Sequence, residues 1–139
     1  MQVRGYRYGV AEIPDSHRYL LDAQVATLGT LDDDGFPQLT EVWFVHDDGD
    51  VKLSLNSSRH KTKNLERRPE CSLLILDTEN PYRYLEIRGR ARLVPDDDGA
   101  VVEKVKEKYG ADVREYDQPG ERRVAVTIDP VKIHPVIMG

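Results

Sequence analysis

Residues 24–56 read QVATLGTLDDDGFPQLTEVWFVHDDGDVKLSLN, and this stretch decides the fold class. Residues 24–32 carry β-branched and small side chains in strand fashion, and the Gly-containing DDDGF turn follows. Residues 37–46, PQLTEVWFVH, form a second predicted strand. A turn at 47–50 leads to a third at 51–56. Three strands joined by short turns make an antiparallel meander.

The same reading extends outward in both directions. Residues 15–23 predict a short helix after Pro14, with Asp15 or Ser16 as its cap. The run 57–69, SSRHKTKNLERRP, breaks the strand pattern and predicts a helix opened by a Ser pair and stopped by Pro69. Residues 70–77 predict a nearly all-apolar strand buried on both faces. Residues 83–94 alternate cleanly, with Leu85, Ile87, Gly89, Ala91 and Leu93 on one face. Tyr84, Glu86, Arg88, Arg90 and Arg92 lie on the other. Residues 96–109 predict a longer helix, acidic at its start and lysine-rich near its end. Two strands, 122–129 and 131–137, are expected on either side of Pro130. The sum is a mainly β domain over residues 1–139: about six to seven antiparallel strands in a small barrel, with short helices.

Composition narrows the function classes. The chain is 39% hydrophobic and 32% charged, which suits a folded domain and not a disordered or membrane chain. No apolar run approaches the roughly 18 residues that span a bilayer, and the opening residues lack a secretory h-region. Cys71 is the single cysteine, so neither an internal disulfide nor a Cys-based zinc site is available. A cytoplasmic location is the expectation. His17, His46, His60 and His134 lie far apart without ligand spacing, so no metal is expected. Phosphate-binding glycine loops and the Gly-x-Ser-x-Gly elbow are absent.

Net charge is −5, which argues against a nucleic-acid partner. Within 58–68, however, Arg59, Lys61, Lys63, Arg67 and Arg68 outnumber Glu66, a local +4 that leaves −9 for the remainder. A compact basic island in an acidic chain suits a small anionic ligand.

That island follows a strand end and two serines. Free amides at a helix start, hydroxyls from Ser57 and Ser58, the guanidinium fork of Arg59 and the ammonium groups of Lys61 and Lys63 together suit a phosphate or carboxylate. A solvated basic helix face with a Ser cap is the competing reading. The strand 37–46 sets Gln38, Thr40, Val42 and Phe44 on one face and Leu39, Glu41, Trp43 and Val45 on the other. It offers what a flat heteroaromatic ring needs, namely backbone amides, hydroxyl and amide edges and an apolar wall. Val42, Trp43 and Phe44 equally suit a core or a subunit interface. Tyr82 and Tyr84 suit a cleft wall or an interface. Residues 110–120, with Tyr116, read as a plain connection or as a loop over a cleft.

D-G-F-P-Q-L-T-E-V-W-F (34–44) paired with S-S-R-H-K-T-K-N-L (57–65) resembles the pyridoxamine 5′-phosphate oxidase-like split β-barrel superfamily, which binds flavin or deazaflavin. The small size and the K-T-K-N-L form resemble its members that use the deazaflavin coenzyme F420. The resemblance runs over roughly residues 15 to 130. It implies a homodimer with two cofactor clefts at the interface, and an oxidoreductase moving a hydride from reduced F420 to a small conjugated substrate. It places the cofactor phosphate against Ser57, Ser58, Arg59 and Lys61, with Lys63 and Asn64 close by. The ring would lie along Gln38, Thr40, Val42 and Trp43. Lys63, Arg67 and Arg68 add charge suited to F420, the more anionic cofactor; FMN is the alternative. A non-catalytic cofactor-binding protein and a haem-handling relative are further alternatives. The C-terminal residues leading to Gly139 hold no Arg-His-containing substrate segment of the kind pyridoxamine phosphate oxidase itself uses, which sets an expectation against vitamin B6 oxidation. The cofactor carries the hydride chemistry, so no catalytic side chain is assigned.

Overall fold

The computed structural model describes residues 6–7, 10–47 and 49–138, and side chains from Glu12 onward. Asp48 in the predicted 47–50 turn lies outside the described residues, as do residues 1–5, 8 and 9 of the opening stretch. Strands β1 (Tyr6–Arg7) and β2 (Val10–Ala11) pair as a small antiparallel ladder. A 3-10 helix spans Asp15–Asp22, where the sequence predicts a short helix. Then come β3 (Ala26–Leu31), β4 (Pro37–Val42), β5 (Val45–Asp47) and β6 (Asp50–Asn56). Helix α1 covers His60–Arg67, followed by β7 (Glu70–Leu76) and β8 (Arg83–Pro95). Helix α2 (Ala100–Tyr109) and a 3-10 turn (Val113–Tyr116) lead into β9 (Arg123–Ile137). Among the described residues, no helix is long and apolar enough to cross a membrane.

Seven strands form one antiparallel sheet in the order β4-β3-β7-β8-β9-β6-β5. Its two edges, β4 and β5, are consecutive in the chain, with only Trp43 and Phe44 between them. Laid flat, six interstrand spacings would separate those edges by about 29 Å. The three residue steps from Val42 to Val45 reach no more than about 11 Å. The sheet must therefore curl until its edges meet at one corner, which yields a mainly β split barrel.

The predicted strand 37–46 is thus two strands. At the break, Phe44 loses its ladder partners and helix α2 supplies replacements. The Tyr109 hydroxyl accepts from the Phe44 amide at 3.0 Å, and the Lys108 ammonium donates to the Phe44 carbonyl at 2.9 Å and to the Ala23 carbonyl at 2.6 Å. Lys108 also sits 4.0 Å from the Phe44 ring centroid. Burial pushes the Lys108 ammonium below its ordinary range. Lys108 thus serves as an internal clamp as well as a helix-end charge. The helix it ends is capped from upstream, where the Asp96 carboxylate accepts from the amides of Val101 and Val102.

The concave face holds the core. Leu28, Phe44, Leu53, Leu73, Ile75, Leu85 and Val126 are fully buried, and Leu20, Leu21 and Leu65 plug the ends from the helices. Strand β7 corrects the expectation of burial on both faces. Cys71, Leu73 and Ile75 point inward, while Ser72 and Leu74 are half-buried and Leu76 is exposed. The two strands expected around Pro130 are one, β9, and the proline marks a bulge. Arg88 pairs with Lys132 and Gly89 with Pro130, leaving Val131 as the extra residue. The close approach there requires Gly89, because a Cβ would lie 2.4 Å from the Asp129 carbonyl oxygen.

Two stability outcomes follow from these contacts. Gly89→Ala should cost about 1–3 kcal/mol through overpacking, read as a lower urea midpoint; an unchanged midpoint would show that the bulge has slack. Lys108→Met should cost about 1.5–3 kcal/mol by removing charge-assisted bonds and should red-shift Trp43 emission as the corner loosens. Wild-type stability and emission in that variant would contradict the clamp.

Candidate functional site

Strand β6 ends at Asn56, and the chain then wraps around that side chain. The buried Asn56 amide oxygen accepts from the Ser58 backbone amide at 2.8 Å and from the Ser58 hydroxyl at 2.7 Å. Its NH2 group donates to Asp117 and Glu121 at 2.9 and 3.0 Å. Its carbonyl accepts from the Thr62 hydroxyl at 2.7 Å and the Arg59 amide at 3.1 Å. This turn delivers the chain into α1 with Arg59, and neither serine, in the cap position.

Arg59 makes no side-chain cap bond, and the first turn of α1 has no acid. Helix starts favour Ser, Asp or Asn caps and negative charge, because their amides are unpaired and the dipole end is positive. Here Arg59 and Lys61 crowd that end instead. Burial first, and then the like charge of Arg59, hold the Lys61 ammonium below its ordinary range. No acid in the first turn of the helix offsets this positive charge.

A cavity of about 400 Å³ opens at this point. Its floor is Ser54, Leu55 and Asn56 of β6 with Arg59 and Lys61; Glu41, Val42 and Trp43 form one wall and Val113, Tyr116 and Arg123 the other. Trp43 is 40% exposed and its ring stacks on Tyr109, with centroids 4.3 Å apart and planes 2° from parallel. The Ser54 hydroxyl is buried with no hydrogen-bond partner, as is that of Thr40 on β4. Arg123 is already neutralised by Asp117, with bonds of 2.9 and 2.5 Å. The residues present fit the phosphate end of an aromatic cofactor: unpaired amides, two cations, a spare hydroxyl and an indole wall.

Of the residues singled out from sequence, Val42, Trp43, Arg59 and Lys61 line this cavity together. Thr40 lies two residues from Val42 on the same face of β4. Gln38 accepts from the Thr30 hydroxyl at 3.2 Å, which ties it to β3. The Ser57 hydroxyl accepts from the Arg122 amide at 2.9 Å, and Ser58 is shared between Asn56 and the Glu121 carboxylate. Lys63 is exposed and does not line the cavity. Asn64 is buried and donates to the Thr30 hydroxyl at 3.1 Å and to Asp32 at 2.8 Å, which anchors α1 to the turn after β3. Arg67 and Arg68 both bind Asp33, at 2.7 and 2.8 Å, so they brace the same turn and do not face the cavity. None of the four histidines lines it.

Sequence reading missed Ser54, Asn56, Glu121 and Arg123 as parts of the site. Only the pairing of Asn56 with Arg123 across β6 and β9 brings the last two there. For Tyr116, the reading as a loop over a cleft is the one the structure supports. A larger cavity, about 530 Å³, lies on the outer sheet face, where Gly29, Leu31, Pro37 and Leu39 meet Arg88, Arg90 and Lys132. Arg88 and Arg90 are loosely paired there with Glu86 and Glu70, at 3.3 and 3.7 Å. Leu39 is 67% exposed and Phe36 71%, so this face is unusually apolar for one open to water.

Comparison with solved structures finds the same architecture. An F420 reductase superposes with a TM-score of 0.75 at 29% identity, covering 88% of this chain and 98% of the other. A conserved hypothetical protein of Mycobacterium tuberculosis gives 0.73 at 26% identity, covering 94% and 88%. HutZ, a haem storage protein from Vibrio cholerae, gives 0.71 at 16% identity over 86% and 91%, a likeness of fold alone. Residues 13–137, from the 3-10 helix to the end of β9, match the sequence model of pyridoxamine 5′-phosphate oxidase. A curled seven-stranded sheet with a cationic helix start beside an aromatic wall is thus joined by a match over most of the chain, which belongs to the pyridoxamine 5′-phosphate oxidase family.

Proposed function

We propose that this protein is an oxidoreductase that binds coenzyme F420 in the cavity between α1 and Trp43, with FMN as the alternative cofactor. The observation that carries the reading is the start of α1, where Arg59 and Lys61 converge on a helix end that no side chain caps. The similarity to an F420 reductase over most of both chains supports the deazaflavin choice.

Arg59 and Lys61 would neutralise the cofactor phosphate, and the amides of the first α1 turn would donate to it. The Ser54 hydroxyl, unpartnered on a residue that lines the cavity, is available to a polar atom of the cofactor. Trp43, held by Tyr109, would wall the ring and keep water from it. When bound, the deazaflavin supplies two-electron hydride transfer; the chain's task is to bind, orient and shield it. A small conjugated acceptor such as an enone is the substrate class proposed.

A homodimer is part of the proposal. Strand β4 borders both cavities, with Pro37 and Leu39 in the outer one and Glu41 at the α1 cavity. A second copy covering the apolar outer face would therefore also close the cofactor cleft.

Titration with F420 and with FMN, followed by Trp43 quenching, should show micromolar or tighter F420 binding, about −8 kcal/mol, and weaker FMN binding. Reduced F420 should then be oxidised on adding an enone. Binding without turnover would identify a cofactor carrier, and binding of neither cofactor would remove the proposal. Arg59→Ala with Lys61→Ala should weaken F420 binding about a hundredfold, equivalent to about 2.7 kcal/mol, with an unchanged melting temperature; wild-type affinity in that variant would move the anion seat elsewhere.

A further inference from the structure

A carboxylate already sits beside the anion seat. Glu121 follows a tight turn in which Gly120 has φ +87° and the Glu121 amide donates to the Gln118 carbonyl at 3.0 Å. The turn aims the Glu121 side chain back at the start of α1. One carboxylate oxygen accepts from the Asn56 NH2 group at 3.0 Å and from the Gln118 amide at 2.7 Å. The other accepts from the Ser58 hydroxyl, a donor the sequence offers to the cofactor phosphate. The Ser58, Gln118 and Asn56 hydrogen bonds, with the field of Arg59, hold the Glu121 carboxyl down at about 2, so it is charged at neutral pH.

Two cations and one carboxylate thus meet at the helix start. Arg123 adds no net charge, because Asp117 binds it through two bonds. Glu41 enters the cavity on the Trp43 wall, where its carboxylate accepts from the Thr27 hydroxyl. Against Arg59 and Lys61, Glu121 takes away one positive charge and Glu41 lowers the sum further, so a phosphodiester such as that of F420, with one negative charge, loses less attraction than a more highly charged group. A terminal phosphomonoester carries about −1.5 to −2 at neutral pH and loses more.

We propose that Glu121 is a specificity residue: by lowering the charge of the seat and occupying the Ser58 donor, it favours a cofactor held through a phosphodiester over one held through a phosphomonoester. This rests on the cofactor reading above and supplies a reason for F420 over FMN that does not involve Lys63, Arg67 or Arg68.

The test uses three probes at low ionic strength. Riboflavin, FMN and the methyl ester of FMN share a ring and carry no phosphate, a phosphomonoester and a phosphodiester respectively, so the ratio of each affinity to that of riboflavin isolates the phosphate. Coulomb energy scales with the ligand's charge, so removing one negative charge should help a dianion twice as much, on a logarithmic scale, as a monoanion. In Glu121→Gln the FMN-to-riboflavin ratio should rise about tenfold while the methyl-ester-to-riboflavin ratio rises about threefold. Glu121→Ala, which also removes the hydrogen bonds, should keep that two-to-one pattern, because the charge sets it. Equal gains for FMN and its methyl ester would mean that Glu121 is only a brace for its loop, and an unchanged FMN-to-riboflavin ratio would remove the charge argument. Either result leaves F420 binding by the wild-type protein intact and sinks the specificity role alone. If neither F420 nor FMN binds the wild-type protein, the cofactor reading and the specificity role fall together.

Discussion

Two residues, Trp43 and Phe44, must carry the chain from one edge of a seven-stranded sheet to the other. That reach constraint sets the curl of the sheet, and the curl sets everything near it. Phe44 goes fully into the core, while Trp43 stays on the rim and lines the cavity. The corner has no ladder to satisfy it, so the last turn of α2 does so with a phenol and an ammonium. Withdrawing even half of a lysine from water is ordinarily costly. Here its hydrogens meet two carbonyls and its charge meets an aromatic face, which offsets the desolvation.

The start of α1 is the opposite case, a place where local preference is broken and nothing nearby in the helix repairs it. The helix is nevertheless fixed, because its other polar groups are tied to the turn after β3. His60 binds Asp32, Asn64 binds Thr30 and Asp32, and Arg67 and Arg68 bind Asp33. Position is thus secured by one set of contacts, leaving Arg59 and Lys61 to face the cavity. Where a sequence departs from its own local rules at one spot, while obeying them around it, a functional or strained site is expected.

Much of this was legible in the sequence, and the failures have physical causes. Alternation placed β8 correctly, and turn residues delimited β3 and β6. The break inside 37–46 was invisible because Val42, Trp43, Phe44 and Val45 are all strand formers; only the sheet order separates them. Pro130 looked like a terminator because it lacks an amide, yet a bulge tolerates that lack. Residues 70–77 looked doubly buried because composition cannot distinguish a covered face from an exposed apolar one. At the site, the basic island was visible but its division was not. Arg59 and Lys61 face the cavity, while Arg67 and Arg68 serve Asp33 and Asn64 serves Thr30 and Asp32. Glu121 reaches the site only because β9 pairs with β6, a relation between residues too far apart for any local pattern to show.

The most direct measurement is residue-resolved. On adding F420 to isotopically labelled protein, the amide resonances of His60, Lys61 and Thr62 and the indole resonance of Trp43 should shift together and saturate at one ligand concentration. Shifts confined to the outer face around Leu31, Leu39 and Lys132, with the α1 amides unmoved, would contradict an anion seat at the helix start.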